Sequence, residues 1–211
     1  MNPEPKPLEL FIDVFDKLDQ RALVLPELKP PQVVSAVLQE FQELEYLGAD
    51  PMGYKLARTR DEAPLDPSAP LEGQVVKGER LALAEVEAPL PRGAQRPTRA
   101  VYLREVAAGH AYKLHWQPAI IGRWSDKLPQ NELVLVDLSQ HPNGQRVSRR
   151  HVRLIEEGQA FYVEVLASNP VTQIHSEGET VLTPEDGKHL LLPGDVIKLT
   201  RADIRLKFIV R

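Results

Sequence analysis

An α+β unit followed by an all-β unit is the fold class that this sequence predicts. Three observations predict it. One stretch alone has clear helical periodicity, directly after Lys29-Pro30-Pro31. A proline-rich break, Ala88-Pro-Leu-Pro-Arg-Gly-Ala-Gln-Arg-Pro-Thr-Arg99, interrupts the pattern near the middle of the chain. Beyond that break the apolar residues come in short runs separated by turn chemistry, which is the signature of a β-sandwich.

In the first half, Val33, Val37 and Phe41 fall on one stripe of a helix over Gln32–Leu44, with Val34, Leu38 and Leu44 beside it. These are i, i+4, i+8 spacings, and proline in the first turn is a normal helix start. Strands are expected at 8–14, 22–25, 54–58 and 80–86. Arg80-Leu-Ala-Leu-Ala-Glu-Val86 alternates cleanly between apolar and other residues. Leu65, Leu71 and Val75 add further core candidates.

The break itself holds three prolines and no acidic residue. Proline fixes φ and lacks a donor, so residues 88–98 are expected to be an extended linker, poorly paired with either neighbour. Proteolysis is expected there first, at Arg92 or Arg96. The domains are therefore drawn as 1–87, 88–98 and 99–211.

In the second half, about nine strands are expected, at 100–106, 112–115, 119–122, 133–136, 152–155, 161–166, 171–175, 195–199 and 204–210. Leu192-Pro193-Gly194-Asp195 suits a type II turn, and Pro142-Asn143-Gly144 and Pro184-Glu-Asp-Gly187 read as turns of the same class.

Composition narrows the function classes. The chain has no cysteine, which removes disulfides, thiolate nucleophiles and zinc–thiolate sites together. No apolar run approaches the roughly 20 residues that span a bilayer. Met1–Pro5 has neither the basic start nor the apolar core of a signal peptide, so a cytoplasmic location is expected. Charge is uneven. Twelve Lys and Arg stand against seventeen Asp and Glu in residues 1–99, and fourteen against thirteen in residues 100–211. An acidic first half argues against general nucleic-acid binding, where phosphate contacts supply most of the affinity. Any anion recognition must be local and must lie in the second half. The six histidines show no close metal-ligand pair, and neither glycine-rich phosphate motif is present, so no metal or cofactor is expected.

The informative spacing is Ile121-Gly122-Arg123, then Val147-Ser148-Arg149-Arg150-His151, then Ser168-Asn169. Each residue has a plain alternative. Gly122 is a glycine at a strand end, where a turn alone would explain it. The arginines at 123, 146, 149, 150 and 153 could form a solvated basic face, the reading preferred for Arg150 and Arg153. Ser148, Ser168 and Asn169 could be turn formers. Ser148 and His151 could suggest a nucleophile and its base, but no third group completes the set.

This constellation, with Leu192-Pro-Gly-Asp195-Val-Ile-Lys-Leu199 near the end, resembles the forkhead-associated (FHA) family of phosphothreonine-binding domains over residues 99–211. The resemblance implies an antiparallel β-sandwich that binds phosphopeptides and catalyses nothing. Arg123 and Ser148 would donate to the phosphate, with Arg149 beside them. Asn169 would hold the peptide main chain, with Ser168 nearby. Gly122 would let the strand end turn, and a buried His151 would fix the loop that carries Ser148. Arg146 would reach the third residue after the phosphothreonine. One position departs from the family: Pro170 stands where glycine usually follows the asparagine, which places the geometry of Asn169 in question.

The order of elements in the first half, with Tyr54-Lys-Leu, Leu65-Asp-Pro and Val75-Val-Lys-Gly-Glu-Arg-Leu-Ala-Leu83, resembles the ubiquitin-like (β-grasp) fold over residues 7–87. In particular it is similar to the ubiquitin-related domains that accompany bacterial type VII secretion systems. Together the two resemblances imply an adaptor that binds a Ser/Thr kinase substrate, with the first domain as a second protein-interaction surface and membership of a secretion complex as one setting. The competing reading is a scaffold module that docks partners independently of phosphorylation.

Overall fold

The computed structural model describes residues 6–127 and 131–211; Met1–Pro5, read above for targeting signals, lie outside them. The chain divides into two compact units, Met1–Glu87 and Ala88–Arg211, each with its own apolar core. Among the described residues no helix is long and apolar enough to cross a membrane.

In the first unit, β1 (Leu8–Val14) and β2 (Lys17–Val24) form an antiparallel hairpin, followed by α1 (Pro30–Glu40), β3 (Tyr54–Arg58) and β4 (Arg80–Glu85). The sheet order is β2-β1-β4-β3, with β1 and β4 parallel at its centre. Helix α1 buries Pro30, Val33, Val34, Val37 and Leu38, and the Lys29 N–H at its start donates to Gln32 Oε1 at 2.8 Å. The helix stops at Glu40, short of the expected Leu44. Phe41 leaves helical geometry, and the chain continues through turns in which Leu44 N–H donates to Phe41 O and Leu47 N–H to Leu44 O, both at 3.0 Å. That tighter path turns Leu47 into the core.

Strand β2 starts five residues before the expected one because Lys17–Arg21 are largely exposed on a sheet edge and carry no apolar pattern. Across the sheet, Arg80 grips Asp13 with two hydrogen bonds of 2.8 and 2.9 Å. Burial alone would raise the Asp13 pKa; the Arg80 guanidinium and the Asp19 N–H outweigh it and hold the carboxyl below its ordinary value.

The second unit is mostly strand. One sheet has the order β13-β10-β9-β7-β8 and the other β12-β11-β14-β15-β5-β6. The strands are β5 (Val101–Glu105), β6 (Ala111–Lys113), β7 (Ala119–Gly122), β8 (Val134–Asp137), β9 (Val152–Glu157), β10 (Ala160–Val165), β11 (Val171–His175), β12 (Gly178–Leu182), β13 (Lys188–Leu191), β14 (Val196–Leu199) and β15 (Ile204–Val210). Inward residues of the two sheets interleave, and Phe161 of β10 meets Phe208 of β15 with ring centroids 5.4 Å apart.

Four details differ from the sequence reading. The sandwich is not wholly antiparallel, because β7 and β8 pair in parallel. Strands β12 and β13 have no counterpart among the expected ones; each buries a single side chain, so neither shows an apolar alternation. Gly194 has φ 96° and Asp195 N–H returns to Leu192 O, as a type II turn requires. The Pro142 turn differs, since Asn143 at φ −95° and ψ 7° has type I geometry with glycine one place later, and Pro184–Asp186 is a short 3₁₀ turn.

The stretch 88–98 also departs from expectation. The N–H groups of Ala94, Gln95 and Thr98 are all used. Gln95 and Gln117 exchange two main-chain hydrogen bonds of 2.9 and 2.8 Å. Arg96 donates to His115 O and Ala88 O, both at 2.6 Å, and Ala94 packs with Ile120, Val134 and Trp116. Thr98 gives its N–H and its hydroxyl to the two oxygens of the buried Glu156 carboxylate. Residues 94–98 are thus a strap on the sandwich, whereas Pro89, Leu90, Arg92 and Gly93 are exposed. Subtilisin is therefore expected to cut within 89–93 before it cuts within 94–98. Mass spectrometry of the first fragments checks this, and an initial cut after Gln95 or Arg96 would contradict the strap.

Candidate functional site

The site is built where the end of β7 meets the loop between β8 and β9. Main-chain hydrogen bonds tie them: His151 N–H to Ile121 O at 3.0 Å and Arg123 N–H to Arg149 O at 3.2 Å. The approach is so close at Gly122 that an added Cβ would lie 2.2 Å from Arg149 O and 2.8 Å from its carbonyl carbon. Glycine is required here by backbone contact, and a turn at the strand end is not the reason.

The loop folds back on itself. Gly144 would bring a Cβ within 2.0 Å of Leu138 O, and its N–H donates to His141 O at 2.7 Å. His141 Nδ1 accepts the Asn143 N–H at 3.0 Å, while Nε2 faces the buried Glu105 at 3.2 Å. Accepting at Nδ1 leaves the ring proton on Nε2, directed at the carboxylate. A 3₁₀ turn over Gly144–Arg146 then delivers Val147 into the main core. With Val147 extended and buried, its neighbours Arg146 and Ser148 are left toward solvent.

Arg123 is held in place from this loop: its Nε donates to Val147 O at 2.6 Å, and Nη1 lies 3.4 Å from Gln145 Oε1. Ser148 is positioned by His151, whose Nδ1 accepts the Ser148 N–H at 3.2 Å. His151 is 0% exposed. Burial lowers its pKa, and interaction with the Asn169 backbone only partly offsets this. The neutral imidazole therefore sits between the loop of Ser148 and the loop of Asn169. It is not a base for Ser148, because Nδ1 is occupied by the serine's main chain and not by its hydroxyl.

Arg123, Arg146, Ser148 and Asn169 converge on one open depression of about 590 Å³, together with Gln145, Val147 and Arg201. No acidic residue lines it. Arg149 and Ser168 do not: the Arg149 carbonyl turns inward to Gly122 and its side chain is exposed, and Ser168 is exposed one place before Asn169. Arg201 was absent from the sequence reading, and Gln145 falls in the 137–147 loop, expected as part of the peptide-binding edge without being singled out. Arg201 lies in the turn after β14, and β11 pairs with β14 in the register Val171↔Leu199. That register, with Thr172 and Thr200 hydroxyls 3.1 Å apart, places Arg201 across from Asn169. Such a signal exists only once two distant strands are paired. Among the described residues no group of three His, Asp or Glu side chains could hold a metal ion.

Two outcomes follow from this geometry. Gly122→Ala should lower stability by about 1–3 kcal/mol through overpacking, read as a shifted urea midpoint; an unchanged midpoint would show that the loop yields freely. Acid should also destabilise the second unit through His151. Its folded pKa lies below the ordinary 6.5, so the unfolded chain takes up the proton first, and stability falls as pH drops through 6.5 toward the folded value. His151→Asn should flatten the urea midpoint's slope between pH 7.5 and 5, and an unaltered slope would refute the assignment.

Residues 119–200 match the model of the FHA domain family. No curated protein matches the chain. Among solved structures, Mycobacterium tuberculosis EmbR in complex with a low affinity phosphopeptide is 26% identical over 53% of this chain and 24% of its own, with a TM-score of 0.39. The FHA domain of human APLF in complex with an XRCC1 bisphospho peptide is 23% identical over 52% of this chain and 97% of its own, with a TM-score of 0.39. The FhaA FHA domain complexed with the intracellular domain of Rv3910 is 27% identical over 53% of this chain and 99% of its own, with a TM-score of 0.36. The chain thus spans about a quarter of the length of EmbR. Residues 119–200 of this chain are an FHA domain.

Proposed function

We propose that the second unit binds phosphothreonine peptides and that the protein acts as an adaptor. The observation that carries this reading is the convergence of Arg123, Ser148 and Asn169 on one depression with no carboxylate in its lining. A phosphothreonine brings about −1.5 to −2 charges and three acceptor oxygens. Arg123 offers the planar fork that suits a phosphate, and its bonds to Val147 O and Gln145 Oε1 leave three of its five N–H donors for the ligand. Ser148 contributes its hydroxyl. Asn169 serves the peptide main chain, and Arg146 the third residue beyond the phosphothreonine. Arg149, Ser168 and their outward side chains take a lesser part in this reading, as long-range charge and loop shape.

The first unit, with its ββαββ order and central parallel pair, is read as a β-grasp, ubiquitin-like domain and a second protein-interaction surface. Secretion-complex membership is one setting for such a pair of domains. Pro170 favours a second reading, phosphorylation-independent docking, because proline restricts the residue before it and removes an N–H that could face a peptide.

Binding of matched peptides to the full chain, with and without phosphate on the threonine, separates the two. Only the phosphorylated form should bind. A hydrogen bond to a charged group contributes about 1.5–3 kcal/mol, so Arg123→Ala should weaken binding about tenfold or more. Phosphoserine lacks one methyl, worth about 0.8 kcal/mol when buried, and should bind up to about fourfold more weakly. Equal binding of phosphorylated and plain peptides would favour the Pro170 reading.

A further inference from the structure

The depression holds more positive charge than one phosphothreonine neutralises. Three guanidinium groups line it, those of Arg123, Arg146 and Arg201, with no acidic residue among the lining side chains. Arg123 is tied to the loop by Val147 O and Gln145. Arg146 and Arg201 are both exposed, and among the described residues neither side chain has an ion-pair or hydrogen-bond partner. The nearby acid is engaged elsewhere: Asp203 Oδ1 faces Lys198 Nζ at 3.8 Å and Arg205 Nε at 3.7 Å. A phosphate of about −1.5 to −2 charges against three arginines leaves about one positive charge uncompensated.

The placement of Arg201 gives that charge a direction. Ser148 and Arg123 stand at the end of one sheet, Asn169 enters β11 of the other, and the Val171↔Leu199 register puts Arg201 opposite Asn169. Neighbouring strands lie about 4.8 Å apart, and an extended peptide advances about 3.3 Å per residue. A peptide anchored at Arg123 and passing Asn169 therefore brings a side chain within reach of Arg201 some two to four residues from the phosphothreonine, by the same strand dimensions.

We propose that the ligand carries a second anionic group within about four residues of the phosphothreonine, and that Arg201, acting with Arg146, selects it. This rests on the phosphothreonine reading above and names the class of peptide that the site takes. The second anion is a carboxylate or a second phosphate, and both meet the same guanidinium chemistry.

The test uses the full chain and fluorescent peptides of one sequence in three forms: phosphothreonine with neutral flanks, phosphothreonine with a glutamate walked through the flanking positions, and phosphothreonine with a phosphoserine walked likewise. The wild type should bind the best doubly anionic peptide about three- to tenfold more tightly than the neutral-flank peptide, the range spanned by exposed and charge-assisted contacts. Arg201→Gln should erase most of that preference, weakening the doubly anionic peptide more than the neutral-flank peptide, and Arg201→Lys should restore part of it. A better gain from phosphoserine than from glutamate would identify the second anion as a phosphate, and the reverse as a carboxylate. A preference that survives Arg201→Gln, or no preference in the wild type, would overturn this inference alone. Binding of none of the phosphorylated peptides would overturn the phosphothreonine reading and this inference with it.

Discussion

The contact between Gly122 and the carbonyl of Arg149 is the constraint on which the site depends. Backbone approaches backbone there with no room for a methyl group, and two hydrogen bonds from the flanking residues hold the approach. Because the end of β7 and the loop before β9 cannot slide apart without breaking those bonds, Arg123 and Ser148 keep one spacing. His151 extends the constraint inward. Its buried ring takes the Ser148 N–H on one side and adjoins the Asn169 backbone on the other, so two loops are referenced to one imidazole. The polar surface of the depression thus stands on a solvent-inaccessible interior.

A second layer of support lies one shell further out. Glu105 at the end of β5 is almost fully buried and takes the His141 side chain, which fixes the turn that precedes Gln145 and Arg146. The strap over 94–98 plays the same part on the five-stranded sheet, where Ala94 and Trp116 cover Ile120 and Val134. In both places a buried carboxylate, Glu105 or Glu156, meets a polar partner supplied by a segment without regular structure. Leaving such a carboxylate unpaired in the interior would be costly, so each acts as a lock on the segment it holds.

Much of this was legible in the sequence, and the boundary is instructive. Gly122, Arg123, Ser148, His151 and Asn169 stand at strand ends a few residues from strong turn signals, so local pattern places them. Gly122 was legible as to position but not as to cause, since the carbonyl it admits belongs to a residue twenty-seven places away. Arg201 was invisible because its nearness to Asn169 follows from the pairing of β11 with β14, and nothing in Thr200-Arg201-Ala202-Asp203 announces that pairing. Gln145 was hidden inside a loop whose fold depends on the burial of Val147. The helix was placed correctly but drawn too long, because Leu44 fits both a helical stripe and the 3₁₀ turns that carry it. Residues 94–98 misled for a related reason: proline content marks a broken ladder, and the N–H groups of Ala94, Gln95 and Thr98 still found partners.

The Nε bond from Arg123 to Val147 O has a kinetic meaning. A long side chain that is already held loses little rotamer freedom when a ligand arrives, so its contacts act mainly to slow departure. Among the described residues Arg146 and Arg201 have no such tether, and exposed, uncompensated charge at the rim of a depression also raises the rate of encounter, which salt suppresses. In the proposed site Arg123 would thus act mainly on how long an anion stays, and Arg146 and Arg201 would add a salt-sensitive pull on its arrival to their contact with the second anion.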